Sequence, residues 1–414
     1  MLEDHLASPV TRSRLRSGPA AGYVDDFADW LHHRDYKPTT IEPALRALAG
    51  WTDWMRDAGF SACELLAGYK ACKAAFDRKR RRRRRYRAPS NYSLVVARQF
   101  VQFLQERDVI PRPTAPLSPR VRWPVLGEFH CWMLEHRGLT ESSLDTYESV
   151  LVDMIAILGD EPRTYTAEAV RAFVLERARP HGIQRAKSIV VAVRAFLRFL
   201  GASGRRPTGL EHAIPGFASW QVTSVPRYIE PSEVERVVDS CNGDDSLGMR
   251  DRAVVLLLAR LALRASEVAQ LCFSDIDWRS GRIAVCGKSR RREWLPLPQE
   301  VGDAILVYLR RGRAPVKTPA VFTTVLAPFR PLTRAGVTGI VRSALRRAEV
   351  KAPINGAHVL RHSAATAMLR QGASLAGVGA VLRHRSPRMT AHYAKVDFGL
   401  LSEIARPWPR TSPC

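Results

Sequence analysis

Acidic residues are in short supply in this sequence. Against 64 lysines and arginines, the 414-residue chain carries only 40 aspartates and glutamates, a formal net charge of +24. An excess of that size favours a polyanionic partner, and nucleic acid is the usual one. A cationic surface that is merely well solvated is the plainer alternative. Cysteine is sparse and unpatterned. The seven, Cys63, Cys72, Cys131, Cys241, Cys272, Cys286 and Cys414, are scattered and contain no C-x-x-C pair. That argues against a disulfide framework or a zinc ribbon, and for a reducing compartment. Long apolar runs are missing too. The most apolar stretch, Ala253–Leu263, is broken by Arg260 and is too short to span a bilayer. The opening MLEDHLASPVTRSRLR lacks the apolar core of a signal peptide. The expectation is a cytoplasmic protein that works on nucleic acid and not on a membrane. Its apolar fraction of 46% is enough for an ordinary core, and its length suits two or three domains.

Two proline-rich stretches punctuate the chain, at 110–124 (IPRPTAPLSPRVRWP) and 213–231 (AIPGFASWQVTSVPRYIEP). Proline removes backbone donors and disfavours helix, so both read as linkers. They delimit a first helical piece (1–110), a second (120–212), a linker (213–231), a third piece (232–396) and a tail (397–414). The first two resemble each other. DFADWLHHRDYKPTTIEPALRAL (26–48) parallels EFHCWMLEHRGLTESSLDTYESVL (128–151), and SLVVARQFVQFL (93–104) parallels SIVVAVRAFLRFL (188–200). Duplication of a small helical domain explains the order of the matches; chance likeness between amphipathic helices is the alternative. Between the paired helices of the first copy lies RKRRRRRRYR (78–87), nine of whose ten residues are basic. Arg80, Arg81, Arg82, Arg83, Arg84 and Arg85 are candidate contacts to a phosphate backbone, giving salt-sensitive and sequence-blind affinity. A solvated loop is the other reading.

The third piece alternates between the two kinds of element. Ser232 and Glu235 form a capping-box pattern after a proline. Arg250–Leu271 has the apolar periodicity of one long helix. Arg282–Cys286 and Glu293–Leu297 read as short strands around a basic turn that holds Gly287, Lys288 and Arg290–Arg292. The remainder to Tyr393 reads as mainly helical.

Three segments hold candidate chemistry. In HVLRH (358–362) a helix would put His358, Arg361 and His362 on one face, with Leu360, Ala364, Ala367 and Met368 turned to a core. The histidine pair has the spacing of a zinc site, but the glutamate of H-E-x-x-H is absent and Arg361 would set a cation beside the metal. A solvated polar face is a second alternative, and His362 suits a structural role behind the site. In LALRASEVAQL (261–271), Arg264 is either paired with Glu267 or aimed at a ligand; in isolation the salt bridge is preferred. In VLRHRSPRMTAHYAKV (381–396), Ser386 and Pro387 suit a helix start, which puts Tyr393 in the second turn. By itself that tyrosine would be a packing residue.

Together these positions resemble the active site of the tyrosine recombinases, the phage integrase family. The resemblance rests on Arg264, Lys288 in GKSRRREWLPLP, His358-x-x-Arg361, His384, and Tyr393 nine residues after His384. It is clear over about 230–396 and extends to 120–212, which is similar to the family's helical core-binding domain. Two departures stand out: Ala262 and Arg383 occupy positions where the family often has glycine. The resemblance implies a mainly α fold with a small β hairpin or sheet: a helical core-binding domain, then a mixed α+β catalytic domain. It implies a site-specific recombinase of a mobile element, associated with the bacterial nucleoid, that cuts double-stranded DNA through a 3′-phosphotyrosyl bond at Tyr393. Lys288 would protonate the departing 5′-hydroxyl, His358 would assist proton transfer at the tyrosine, and His384 would hydrogen-bond the phosphate. Arg264 and Arg361 would grip the non-bridging oxygens with planar forks, so neither metal nor cofactor is required. A tetramer on DNA, accessory or sister recombinases, and a tail patch (Phe398–Ala405) docking on a neighbouring subunit or its own domain follow by the same analogy. The alternatives are a type IB topoisomerase-like enzyme and a DNA-binding protein with a dead site.

Overall fold

The computed structural model describes residues 2–82, 91–112, 117–206, 208–217, 226–286, 292–384 and 386–396, excluding the side chains at 78–82, 91, 388 and 396. The chain forms two compact units. One comprises Met1–Pro111 with Ser224–Cys414, and the other Arg112–Thr223.

Within the first unit, four main helices make an amino-terminal bundle: α1 (Val24–His32), α2 (Pro38–Asp57), α3 (Leu65–Arg82) and α4 (Asn91–Glu106). Proline starts α2, where its missing N–H and fixed φ do no harm. The bundle's own core is built on Phe27, Leu45, Trp51, Phe100 and Phe103, all fully buried.

The second unit is again four-helical: α5 (Pro124–Arg137), α6 (Glu141–Leu158), α7 (Ala167–Ala178) and α8 (Ile183–Ala202). It has a separate core around Phe129, Met154, Val193 and Phe196. The two bundles share one aromatic arrangement. Phe27 meets Phe100 edge-on at 5.1 Å and 89°, and Phe129 meets Phe196 at 5.4 Å and 89°. Phe27–Phe103 and Phe129–Phe199 are both 5.6 Å apart, while Trp30–Phe103 and Trp132–Phe199 are 5.9 and 5.8 Å apart. Each tryptophan meets the side chain one helical turn on: Arg34 lies over the Trp30 ring, and His136 meets Trp132 edge-on. This register pairs Val95 with Val191, both about half exposed, and Arg98 with Arg194. It differs by one residue from the start of the sequence match, which set Ser93 against Ser188.

The rest of the first unit, from Ile229 on, has a third core. Helix α9 (Pro231–Asp239) begins earlier than the sequence pattern suggests. Glu230, not Ser232, is the cap, and it forms a reciprocal box with Glu233. Helix α10 (Ser246–Arg260) runs through the centre with every residue from Ala253 to Ala259 buried, as expected of a helix apolar on all sides. The expected single helix over 250–271 is two. The chain breaks after Arg260 because Ala262 adopts φ +49°, and a short helix α11 (Ala265–Ala269) follows. Strands β1 (Ile276–Asp277), β2 (Arg282–Cys286) and β3 (Arg292–Pro296) form an antiparallel sheet in that order, with Ile283 opposite Leu295 and Ala284 opposite Trp294. The first strand was not foreseen; at two residues it is too short to leave a periodic signal. The turn carrying Lys288 lies outside the described residues.

Helices α12 (Gln299–Val307), α13 (Arg334–Arg347), α14 (His358–Arg370), α15 (Leu375–Val381) and α16 (Pro387–Thr390) complete the unit. The architecture is therefore mainly helical with one small antiparallel sheet, as the sequence led us to expect. Among the described residues no helix is long and apolar enough to cross a membrane, and the six described cysteines are free.

Candidate active site

Three backbone features bring the polar residues together. The first is the bend at Ala262. Its positive φ turns the carbonyl toward α14, where Arg361 Nη1 donates to it. The second is the cap of α11. The backbone N–H of Arg264 donates to Glu267 Oε2 at 2.7 Å, and its guanidinium donates to Glu267 Oε1 at 2.7 Å. The third is the turn after α15, where Arg383 also has positive φ, +54°. There the Leu382 carbonyl accepts from both Arg361 and Arg264, the latter at 3.4 Å. Two arginines distant in sequence are thus tied to one peptide.

Helix α14 does not divide as its pattern suggested: of the residues expected to face a core, Leu360 is buried but Ala364, Ala367 and Met368 are only partly so. Val359, Leu360, Ser363, Ala365, Thr366 and Leu369 are buried, and Arg361 is only 4% exposed. Its first residue, His358, remains exposed. Burial and the cations Arg264 and Arg383 push the Arg361 pKa down to about 10, which still leaves it charged at neutral pH. Arg264 combines both readings of its sequence context: it is ion-paired with Glu267, and it lines the cleft.

Tyr393 follows α16 in a turn of 3-10 helix, Ala391–Val396, and not in a continuous α-helix. Ser386 occupies the N-cap position of α16 without making a side-chain cap hydrogen bond. Tyr393 is 3% exposed, and burial raises its pKa to about 12 against the opposing pull of Arg361 and Arg264. Its hydroxyl is 2.7 Å from Nδ1 of His362. Burial, together with His358, His392, Arg361 and His384, lowers the His362 pKa to about 4, so the ring is neutral, and in its Nε2–H tautomer Nδ1 accepts from the tyrosine. His384 stacks on Tyr393 with ring centres 6.3 Å apart and has Nδ1 2.9 Å from the Thr390 hydroxyl. Burial and the three arginines Arg361, Arg264 and Arg383 bring its pKa to about 4 as well.

Arg264, His358, Arg361, His384 and Tyr393, five of the six sequence candidates, line one cleft of about 640 Å³. Lys288 lies outside the described residues, as do the side chains of Arg80–Arg85 and the tail 397–414. Arg334, His362 and His392 line the same cleft. The sequence reading did not single out Arg334 or His392, and it gave His362 only a supporting part. Arg334 is the first residue of α13, behind the cap Thr333, and nothing in its local pattern distinguishes it from any other helix-starting cation. Although four histidines border the cleft, no group of three or more metal-ligating side chains is arranged to hold an ion among the described residues.

Residues 227–399 match the model of the Phage integrase family. Over 402 residues the chain is 35% identical to the putative integrase/recombinase y4rA of Sinorhizobium fredii, covering 96% of each protein. It is 31% identical over 223 residues to the tyrosine recombinase XerC of Halalkalibacterium halodurans, covering 52% of this chain and 72% of that one. Among solved structures, XerH site-specific recombinase bound to its palindromic difH substrate aligns over 67% of this chain and 83% of its own, with a TM-score of 0.55 at 18% identity. A lambda integrase tetramer bound to a Holliday junction aligns over 78% and 90%, with a TM-score of 0.51 at 16% identity.

Proposed function

The chain belongs to the phage integrase family of tyrosine recombinases, and from that premise we propose that it cuts and rejoins DNA at a specific site, with Tyr393 as nucleophile. The observation that carries this reading is a buried tyrosine hydroxyl opening onto the cleft where Arg264 and Arg361 converge on one turn. A scissile phosphate in that cleft would meet the guanidinium groups of Arg264 and Arg361, held in place by Glu267 and backbone carbonyls, and take their remaining N–H groups on its non-bridging oxygens. Such donors act where charge grows in the transition state, and each is worth roughly a hundred- to a thousandfold in rate. The Tyr393 oxygen attacks phosphorus and the bond to the 5′-oxygen breaks. The product is a 3′-phosphotyrosyl linkage and a free 5′-hydroxyl.

Two protons move in that step. The one leaving Tyr393 has a neutral acceptor 2.7 Å away in His362. The geometry favours His362 over His358 for this part. The proton for the departing 5′-oxygen is assigned to Lys288 by resemblance to the family. Neutral His384 has Nδ1 beside the Thr390 hydroxyl, and in the tautomer that accepts from it, Nε2–H is left to offer to the phosphate. Because the covalent bond conserves the phosphodiester's energy, another strand's hydroxyl can reverse the attack without a nucleotide cofactor.

The shared aromatic arrangement supports reading the amino-terminal bundle as a duplicate of the second bundle. Double-stranded DNA is the partner that the net charge of +24 favours, with Arg80–Arg85 strapping its backbone. Assembly of four subunits on two duplexes, and service to a mobile element, complete the proposal.

A substrate nicked beside the cleavage point traps the covalent intermediate. The expected result is a Tyr393-linked complex that Tyr393→Phe abolishes while DNA binding persists. A covalent complex formed by the phenylalanine variant would overturn the assignment. Two plasmids carrying the site should yield recombinant joints; relaxation of single plasmids with no joints would make the enzyme topoisomerase-like.

A further inference from the structure

The residue at 383 is out of character for its backbone. At φ +54° glycine is the comfortable residue, yet an arginine stands there with its side chain 3% exposed. Arg383 Nη2 donates to Glu267 Oε2 at 2.7 Å, and Nη1 donates to the Val381 carbonyl at 3.1 Å. Its Nε is buried without a partner. Arg383 is not among the residues that line the cleft. Glu267, 2% exposed, is therefore held from two sides: Oε1 by the Arg264 guanidinium, and Oε2 by both the Arg264 backbone N–H and Arg383.

We propose that Arg383 is a positioning residue that shares Glu267 with Arg264 and so keeps the cluster net positive and Arg264 aimed for an anion in the cleft. A carboxylate paired with Arg264 alone would make that pair net neutral and draw the guanidinium down onto itself. With Arg383 on the second oxygen, three arginines (264, 361 and 383) face one glutamate, and the cluster keeps two net positive charges instead of one. The same residue fixes the turn whose Leu382 carbonyl anchors Arg264 and Arg361. Arg383 acts on the phosphate only through these neighbours. The strained φ and the buried cation both work against folding by themselves, which is the pattern expected where structure is held for function.

The inference rests on the cleavage reading for its biological meaning, but it is tested independently of that reading. Inorganic phosphate is titrated into the full-length protein and its affinity compared with the rate of covalent complex formation on the nicked substrate. Arg383→Gly relieves the backbone and should stay folded, as a thermal melt will report. It is expected to weaken phosphate binding and to slow covalent complex formation, each by about tenfold or more, since small misplacement of a charge-stabilising group has effects of that order. Arg383→Lys keeps the charge and should recover most of the phosphate affinity. Unchanged phosphate affinity in Arg383→Gly overturns the proposal. So does an equal loss in both variants that merely tracks a lower melting temperature. If the wild type binds phosphate but forms no covalent complex, the cleavage reading fails while the role of Arg383 is still decided by the titration.

Discussion

The hydroxyl of Tyr393 and Nδ1 of His362 are 2.7 Å apart, and the two groups are held in their neutral forms by the same burial. The pair is a tyrosine that resists ionisation beside a base that resists protonation. Neither is activated alone. The arginines Arg361 and Arg264 pull toward the phenolate, and His362 stands at hydrogen-bond distance to take the proton.

His362→Ala should therefore slow formation of the covalent complex about a hundredfold, the lower range for losing a positioned proton acceptor. DNA affinity should change little, because His362 is neutral and partly buried and gives up no ion pair to the phosphate. Single-turnover trapping on the nicked substrate measures the rate. His358→Ala, at the exposed start of α14, should have the smaller effect on the same step. The opposite ranking would return the proton to His358.

Gly379 on α15 faces Thr390, and a Cβ there would come within 2.8 Å of the Thr390 hydroxyl oxygen. That hydroxyl holds His384 Nδ1, and the backbone N–H of His384 donates to the Gly379 carbonyl. Gly379→Ala should push Thr390 away and release the His384 ring. The predicted outcome is a cleavage rate lowered by roughly tenfold or more with the protein still folded. A Thr390→Val variant, which loses the hydroxyl but keeps the shape, should reproduce the defect.

Acid should destabilise this protein earlier than ordinary carboxylate titration would. The folded pKa values of His362 and His384 are about 4, below the usual 6.5, so the unfolded chain takes up protons first as pH falls. Stability is fully present above about pH 6.5 and is lost progressively down to about pH 4. For His362 the loss is on the order of 3 kcal/mol. Urea unfolding at pH 7, 5.5 and 4.5 reads it, and His362→Phe should flatten the slope.

Neutralising Arg80–Arg85 to glutamine should weaken DNA binding at every sequence tested. It should also reduce the dependence of log affinity on log salt by about 0.9 for each phosphate that the arginines no longer neutralise. A salt slope equal to that of the wild type would take the run off the DNA.

Several things were legible in the chain alone. The order and spacing of Arg264, His358, Arg361, His384 and Tyr393 identified the candidate site, because reacting groups must keep their chemical types. Excess positive charge pointed to nucleic acid, and two segment matches in the same order, 26–48 with 128–151 and 93–104 with 188–200, pointed to paired helical bundles. Period-based reading failed where long-range contacts override local preference. One apolar stretch became two helices at Ala262, whose carbonyl is turned to Arg361 across 99 residues. The tertiary structure alone decided which histidine meets Tyr393. His358 and His362 share one face of a helical wheel, but only packing of Tyr393 against α14 brings His362 within 2.7 Å. It also decided what Arg383 does: in sequence it was a glycine replaced, and in space it is the second cation on Glu267. Spacing along a chain fixes which groups share an element; which groups share a proton or a charge depends on contacts between elements, and those form only when the core closes.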